Sequence, residues 1–227
     1  RPFSAARARN AGFQRLMTDQ PGVRYVQFID GDCELLPAWM PQALQFLEQH
    51  PDMAAVCGRR VERHPEASVY NHLCNIEWNS PAGDAKAFGG DVLMRVSALQ
   101  AVGGYRDSMI AGEEPELAVR LRAAGWRLWR LEQDMTLHDA AMTRWGQWWR
   151  RNVRAGHAYA EGAALHGLGP TRHKLAETRR ALLWGLALPA ITALLTLHSP
   201  AWLTLVLLYP AQVLRLHDPL RLADGTV

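Results

Sequence analysis

The sequence predicts an α/β fold with a mixed or parallel sheet. Three observations predict it. An aromatic, β-branched run, Arg24-Tyr25-Val26-Gln27-Phe28-Ile29, stops abruptly at Asp30-Gly31-Asp32; strand-like runs alternate with helical patterns; and the chain of 227 residues is 48% apolar, enough for a real core. Taken in order, residues 4–18 read as a helix with basic residues on one side, leading through Asp19-Gln20-Pro21-Gly22 into the strand ending at Ile29. Pro37 opens an amphipathic helix through Leu44 and Leu47, stopped by His50-Pro51, and residues 53–61 form a second strand. Residues 65–83 are polar and read as an irregular or partly helical excursion. Residues 88–95 read as a glycine-entered strand, and Ser97 caps a short helix that ends at Gly103-Gly104. The next helix has Glu114 at its N-cap, Pro115 at the first helical position, and apolar Leu117, Val119, Leu121 and Ala124 before Gly125. Residues 126–131 return as a strand, with Trp126 and Trp129 in the core.

The net charge of +3 is unevenly spread, because residues 144–180 hold eight Lys/Arg and two Glu and should face something anionic. Within them Trp145, Trp148, Trp149 and Val153 share helical spacing with Arg144, Arg150, Arg151 and Arg154, giving a cationic, Trp-rich amphipathic helix. Residues 181–197 and 201–216 are apolar and separated by His198-Ser199-Pro200, each shorter than the roughly 20 residues that cross a bilayer upright. They read as short spanning helices, a re-entrant or interfacial hairpin, or a buried core hairpin. Cys33, Cys57 and Cys74 have no metal-finger spacing and are expected as buried filler in a reducing compartment. Nucleic-acid binding is not expected, since the basic residues lie beside an apolar tail without a recognised binding motif. The first residues already read as the middle of a helix, so a segment without its N-terminal part is expected. The boundaries read as residues 1–142, 143–180 and 181–227.

Two acidic signals carry the chemistry. Asp30 and Asp32, one residue apart around a glycine at a strand's carboxyl end, offer hard oxygen ligands to Mn²⁺ or Mg²⁺, or form a plain surface turn. Gly112-Glu113-Glu114-Pro115-Glu116 heads a helix, where Glu114 serves as a base or as a capping carboxylate. The helix dipole lowers its basicity and burial opposes that effect.

In order, Ala8-Arg9-Asn10-Ala11-Gly12, Phe28-Ile29-Asp30-Gly31-Asp32, Phe88-Gly89-Gly90-Asp91-Val92-Leu93-Met94-Arg95 and residues 112–121 resemble the inverting family 2 nucleotide-sugar glycosyltransferases of A-type fold, particularly membrane-associated bacterial ones. The resemblance spans roughly residues 5–157. It implies a Rossmann-like mixed sheet with flanking helices, here without its first βαβ part, and a C-terminal helical apolar hairpin. It implies a metal site of Asp32, Asp30 and His138, and a nucleoside-diphosphate sugar held by Asp30, Asp32, Arg9, Asn10, Gly90 and Asp91. Glu114 falls where the family has its general base, usually Asp, which implies either an acceptor slightly farther away or a share of the task for Glu113 or Glu116. The segment with Trp148, Trp149 and Arg150 sits where processive relatives carry Gln-x-x-Arg-Trp, near acceptor or diphosphate, although residue order differs.

The expected activity is metal-dependent, inverting sugar transfer to a saccharide or lipid-linked acceptor. The expected place is the cytoplasmic face of a bacterial inner membrane, in surface polysaccharide or glycolipid synthesis. A phosphoryl- or nucleotidyl-transferase using the same carboxylates, and a degenerate membrane-attached binding module, are the alternatives.

Overall fold

The computed structural model describes residues 3–223. It divides into two compact units, Arg1–Ala158 and Tyr159–Val227. In the first unit, α1 (Ala5–Asp19) starts where the Ser4 side chain accepts the Arg7 N–H, leading to β1 (Tyr25–Phe28) and β2 (Cys33–Leu35). Then come α2 (Trp39–Gln49), β3 (Met53–Glu62), α3 (Val69–Trp78), β4 (Gly83–Asp84), β5 (Val92–Arg95), α4 (Val96–Ala101), α5 (Glu113–Ala123) and β6 (Arg127–His138). The helix α6 (Trp145–His166) leaves this unit.

The sheet is mixed, with order β1-β5-β3-β6-β2 and β4 also on β6. β5 runs antiparallel to both β1 and β3, β3 runs parallel to β6, and β2 is antiparallel to β6. β1, β3 and β6 therefore point the same way. Their carboxyl ends meet the starts of β2 and β5 at one end of the sheet, where open α/β sheets collect ligands. α2 covers the sheet with Trp39, Ala43 and Leu47, four residues apart and fully buried. Val56, Leu93, Met94, Leu117, Leu121 and Leu128 extend the same core.

Several boundaries differ from the sequence reading. β5 is only the last four residues of 88–95, because Gly90 and Asp91 approach Asp30 in the loop after β1 instead of pairing in the sheet. β6 runs on to His138 because β3 and β2 flank its second half. α4 begins at Val96, so Ser97 lies inside it and is not its cap. α5 begins at Glu113, and its N-cap is Gly112 at φ 79°, not Glu114. Pro115 is accommodated two residues deeper than expected because first-turn N–H groups have no intrahelical partner to lose. The buried face of that helix is Leu117, Ala118 and Leu121; Val119 is half-buried and Ala124 exposed. Cys57 and Cys74 are buried and free, as expected of filler, whereas Cys33 is partly exposed at the ligand end of the sheet.

The second unit holds the rest of α6, α7 (Leu175–Leu182), α8 (Leu188–Thr196) and α9 (Leu208–Ala223). Between α7 and α8 the helix widens into a π turn over Leu183–Ala187. Pro189 follows it, and a wide turn relieves the clash of its ring with the carbonyl four residues back. A 3₁₀ stretch, Pro200–Leu207, is capped by Ser199, and the Tyr209 hydroxyl donates to the Trp184 carbonyl at 2.6 Å. No helix among the described residues is long and apolar enough to cross a membrane.

Candidate active site

The two acidic motifs, 80-odd residues apart in sequence, meet at one arginine. Arg9, on α1, places Nη2 at 2.6 Å from Asp30 Oδ1 and 3.1 Å from Glu114 Oε1, and Nη1 at 2.8 Å from Glu113 Oε1. Its guanidinium also lies 5.4 Å from the centre of the Tyr105 ring. Burial pulls the Arg9 pKa down, but Glu114, Tyr105 and Asp30 outweigh it and the net shift is upward.

A second arginine completes the Asp30 cradle. Arg60, on β3, lies 3.0 Å from Asp30 Oδ2 and 2.9 Å from Asp91 Oδ2. Asp91 is buried just before β5. Its Oδ1 accepts the backbone N–H of Asp30 at 2.8 Å, and its Oδ2 accepts the Thr136 hydroxyl at 2.8 Å. Gly90 must be glycine here, since a Cβ would run into the Asp30 carboxylate. Burial raises the Asp30 pKa, yet Arg9 and Arg60 prevail and hold it below the usual carboxylate range.

Glu114 is shifted the other way. Burial, then the charge of Glu113, raise it to about 7, against the opposing pull of Arg9 and the helix N-terminal N–H groups. A carboxyl poised there is suited to take a proton at neutral pH. Glu114 lines a cleft of about 690 Å³ with Arg60, Gly112, Gln147, Arg150 and Arg154. Glu116 does not share it: fully buried, it is held by Arg106 at 3.1 Å and Arg120 at 2.8 Å. Its role is packing α5.

The carboxylate of Asp32 points elsewhere. Its Oδ2 lies 3.4 Å from His138 Nε2, at the carboxyl end of β6, and the two residues form with Cys33 a group whose ligand atoms all lie within 4.8 Å. Two donors at right angles on one ion at about 2.1 Å sit about 3 Å apart, so this oxygen–nitrogen pair fits a divalent cation. Asp30, expected as a metal ligand, is not in this group; its oxygens are taken by Arg9 and Arg60.

The remaining expected residues separate by what they touch. Asn10 is spent on the chain around Gly104: it donates to the Tyr105 carbonyl and Asp107, and accepts the Tyr105 N–H at 2.9 Å. Arg150 faces the cleft. Trp148 packs 6.0 Å from Tyr70, and Trp149 stacks 5.9 Å from Trp145, so neither lines it. Arg60, Glu62 and Thr136 were not singled out from sequence. Arg60 lies inside a run that reads as a strand, Glu62 and Thr136 lie past the ends read for theirs, and the parallel β3–β6 register brings the three to the site. A second groove of about 700 Å³ is lined by Arg59, Arg130, Glu132 and Asp134, whose charges balance, and holds none of the expected residues.

Residues 1–97 match Glycosyl transferase family 2. That segment carries Arg9, Asp30, Asp32, Arg60, Glu62 and Asp91, and it stops before Glu114 and His138. Among solved structures, the mannosyltransferase PcManGT from Pyrobaculum calidifontis, in complex with GDP-Man and Mn²⁺, superimposes with a TM-score of 0.60 at 21% identity. The match covers 97% of this chain and 62% of that one, so this chain spans under two thirds of its length. It shows that the two chains share a fold. TarS residues 1–349 from S. aureus align at a TM-score of 0.45 and 10% identity, over 70% of this chain and 44% of that one. No curated protein matches the sequence.

Proposed function

We propose that this protein transfers a sugar from a nucleoside-diphosphate sugar to a saccharide or lipid-linked acceptor, with inversion at the anomeric carbon. The observation that carries this reading is Arg9 joining Asp30 to Glu113 and Glu114, which makes the two acidic motifs one site. The family 2 match over the first half of that site and the A-type fold support it.

Glu114 takes the proton of the acceptor hydroxyl as its oxygen attacks the anomeric carbon. The bond from that carbon to the diphosphate breaks on the opposite side, the nucleoside diphosphate keeps the electron pair, and the configuration inverts. Arg150 and Arg154 offer cationic groups to the charge that develops. Asp32 and His138 would hold Mn²⁺ or Mg²⁺, and the ion, when bound, neutralises the departing diphosphate. The PcManGT structure, solved with GDP-Man and Mn²⁺, supports a nucleotide-sugar donor and a divalent ion.

The protein's place is at a membrane, on the cytoplasmic face of a bacterial inner membrane, in surface polysaccharide or glycolipid synthesis. What supports this is exposed apolar surface: Trp145 and Trp149 on α6, and Leu186, Leu194, Leu197 and Leu207 in the second unit.

The test is a donor screen with Mn²⁺, reading released nucleotide and bound donor. Asp32→Ala should abolish metal-dependent donor binding, and Glu114→Gln should keep binding and lose transfer. Unchanged transfer in Glu114→Gln rules out the base assignment. Release of pyrophosphate in place of a nucleoside diphosphate points to nucleotidyl transfer, and donor binding without turnover to a degenerate module.

A further inference from the structure

We propose that Glu62 is a positioning residue that fixes the tautomer and aim of His138, so that its Nε2 lone pair faces Asp32 and the ion. This rests on the metal-site reading above.

Glu62 is the last residue of β3, and its side chain is fully buried. A buried carboxylate needs partners, and this one has a full set. Oε1 accepts the His64 N–H at 3.2 Å and the Asn71 amide at 3.1 Å, while Oε2 accepts the Ala140 N–H at 3.1 Å. The remaining direction of Oε2 meets His138 Nδ1 at 3.5 Å. Asn71 is itself fixed: its oxygen accepts the Met142 N–H at 3.1 Å, and its N–H is capped by Ser68. The carboxylate therefore has no freedom to turn away from the imidazole.

An ionised carboxylate only accepts, so the proton of a neutral His138 belongs on Nδ1. That leaves Nε2 as a lone pair, 3.4 Å from Asp32 Oδ2. Trp78 packs edge-on to the His138 ring at 4.6 Å and limits its rotation. The parallel register aligns Glu62 with His138, so the orienting group and the oriented one sit on paired strands. An imidazole bonded to a carboxylate on one nitrogen and a metal on the other is a recurrent arrangement, and losing the carboxylate weakens metal binding about 10–100-fold.

In Glu62→Gln the amide must set an N–H against either His138 Nδ1 or the donors of His64 and Asn71. The first choice drives the proton to Nε2 and removes the lone pair.

The experiment has two arms on the full chain. Long-range ¹H–¹⁵N NMR of the metal-free wild type reads the His138 tautomer, expected Nδ1–H. Mn²⁺ titration, followed by the EPR signal of free ion, compares wild type with Glu62→Gln and Glu62→Asp. The expected result is affinity about 10–100-fold weaker in Glu62→Gln, with partial recovery in Glu62→Asp. A wild-type Nε2–H tautomer overturns the inference, as does unchanged affinity in a Glu62→Gln protein whose thermal unfolding matches wild type. If wild type binds no Mn²⁺, the metal reading fails, while the tautomer arm still decides what Glu62 does to His138.

Discussion

Arg9 Nη2 stands 2.6 Å from Asp30 Oδ1, and the same guanidinium reaches both glutamates at the head of α5. Three carboxylates thus share one cation. Removing Arg9 leaves them mutually repelling in a largely buried site. Arg9→Ala should cost about 3–5 kcal/mol of stability, measured by chemical denaturation. It should also move the rising limb of the pH–rate profile to higher pH, because a carboxyl that loses a neighbouring cation gains a higher pKa.

Glu114 gives a pH dependence with a definite sign. Transfer should rise with pH through about 7 as the carboxylate forms. Stability should run the opposite way. The folded pKa lies above the ordinary value of 4.5, so between about 4.5 and 7 the folded state binds more protons than the unfolded state. Stability therefore falls as pH rises through that window. Glu114→Gln should remove this slope and lower kcat by roughly 10²–10⁴-fold with donor binding intact.

Gly90 and Gly58 make a matched pair. A methyl group at Gly90 meets the Asp30 carboxylate, whereas one at Gly58 meets the Gln133 carbonyl and the Trp39 ring. Both alanine variants should lose about 1–3 kcal/mol from overpacking. Only Gly90→Ala should also lose donor affinity in calorimetry, since it displaces Asp30 from its two arginines.

Cys33 adds a soft donor beside hard ones. Thiolate favours Zn²⁺ and Cd²⁺ over Mn²⁺ and Mg²⁺. Cys33→Ser should therefore weaken Cd²⁺ binding more than Mn²⁺ binding, measured by competitive titration. The Co²⁺-loaded protein should lose its sulfur-to-metal charge-transfer band in the same variant.

The local signals were legible in the sequence. Asp30-Gly31-Asp32 stood at the end of a strand and Glu113-Glu114-Pro115 at the head of a helix, each marked by neighbouring turn or cap residues, whereas His138 came only from the family resemblance. What sequence reading missed depends on pairing between distant strands. Glu62 and His138 are 76 residues apart and meet only through the β3–β6 register. Arg60 sits in a run of strand residues whose burial says nothing about which face holds a ligand. Asn10 shows the converse. It lies beside Arg9 on α1, yet its amide closes a turn at Gly104, where a Cβ would run into the Asn10 amide oxygen.

Cys33 and His138 are direct cross-strand partners in the antiparallel ladder of β2 and β6. β2 is three residues long and lies at the margin of the sheet, where few contacts oppose fraying. An ion gripped by Asp32 and His138 would act as a clasp across that margin. Loading of the ion and zipping of the strand then become one thermodynamic event: amides of β2 should exchange with solvent more slowly when Mn²⁺ is present, and the ion's affinity should carry the cost of closing the strand.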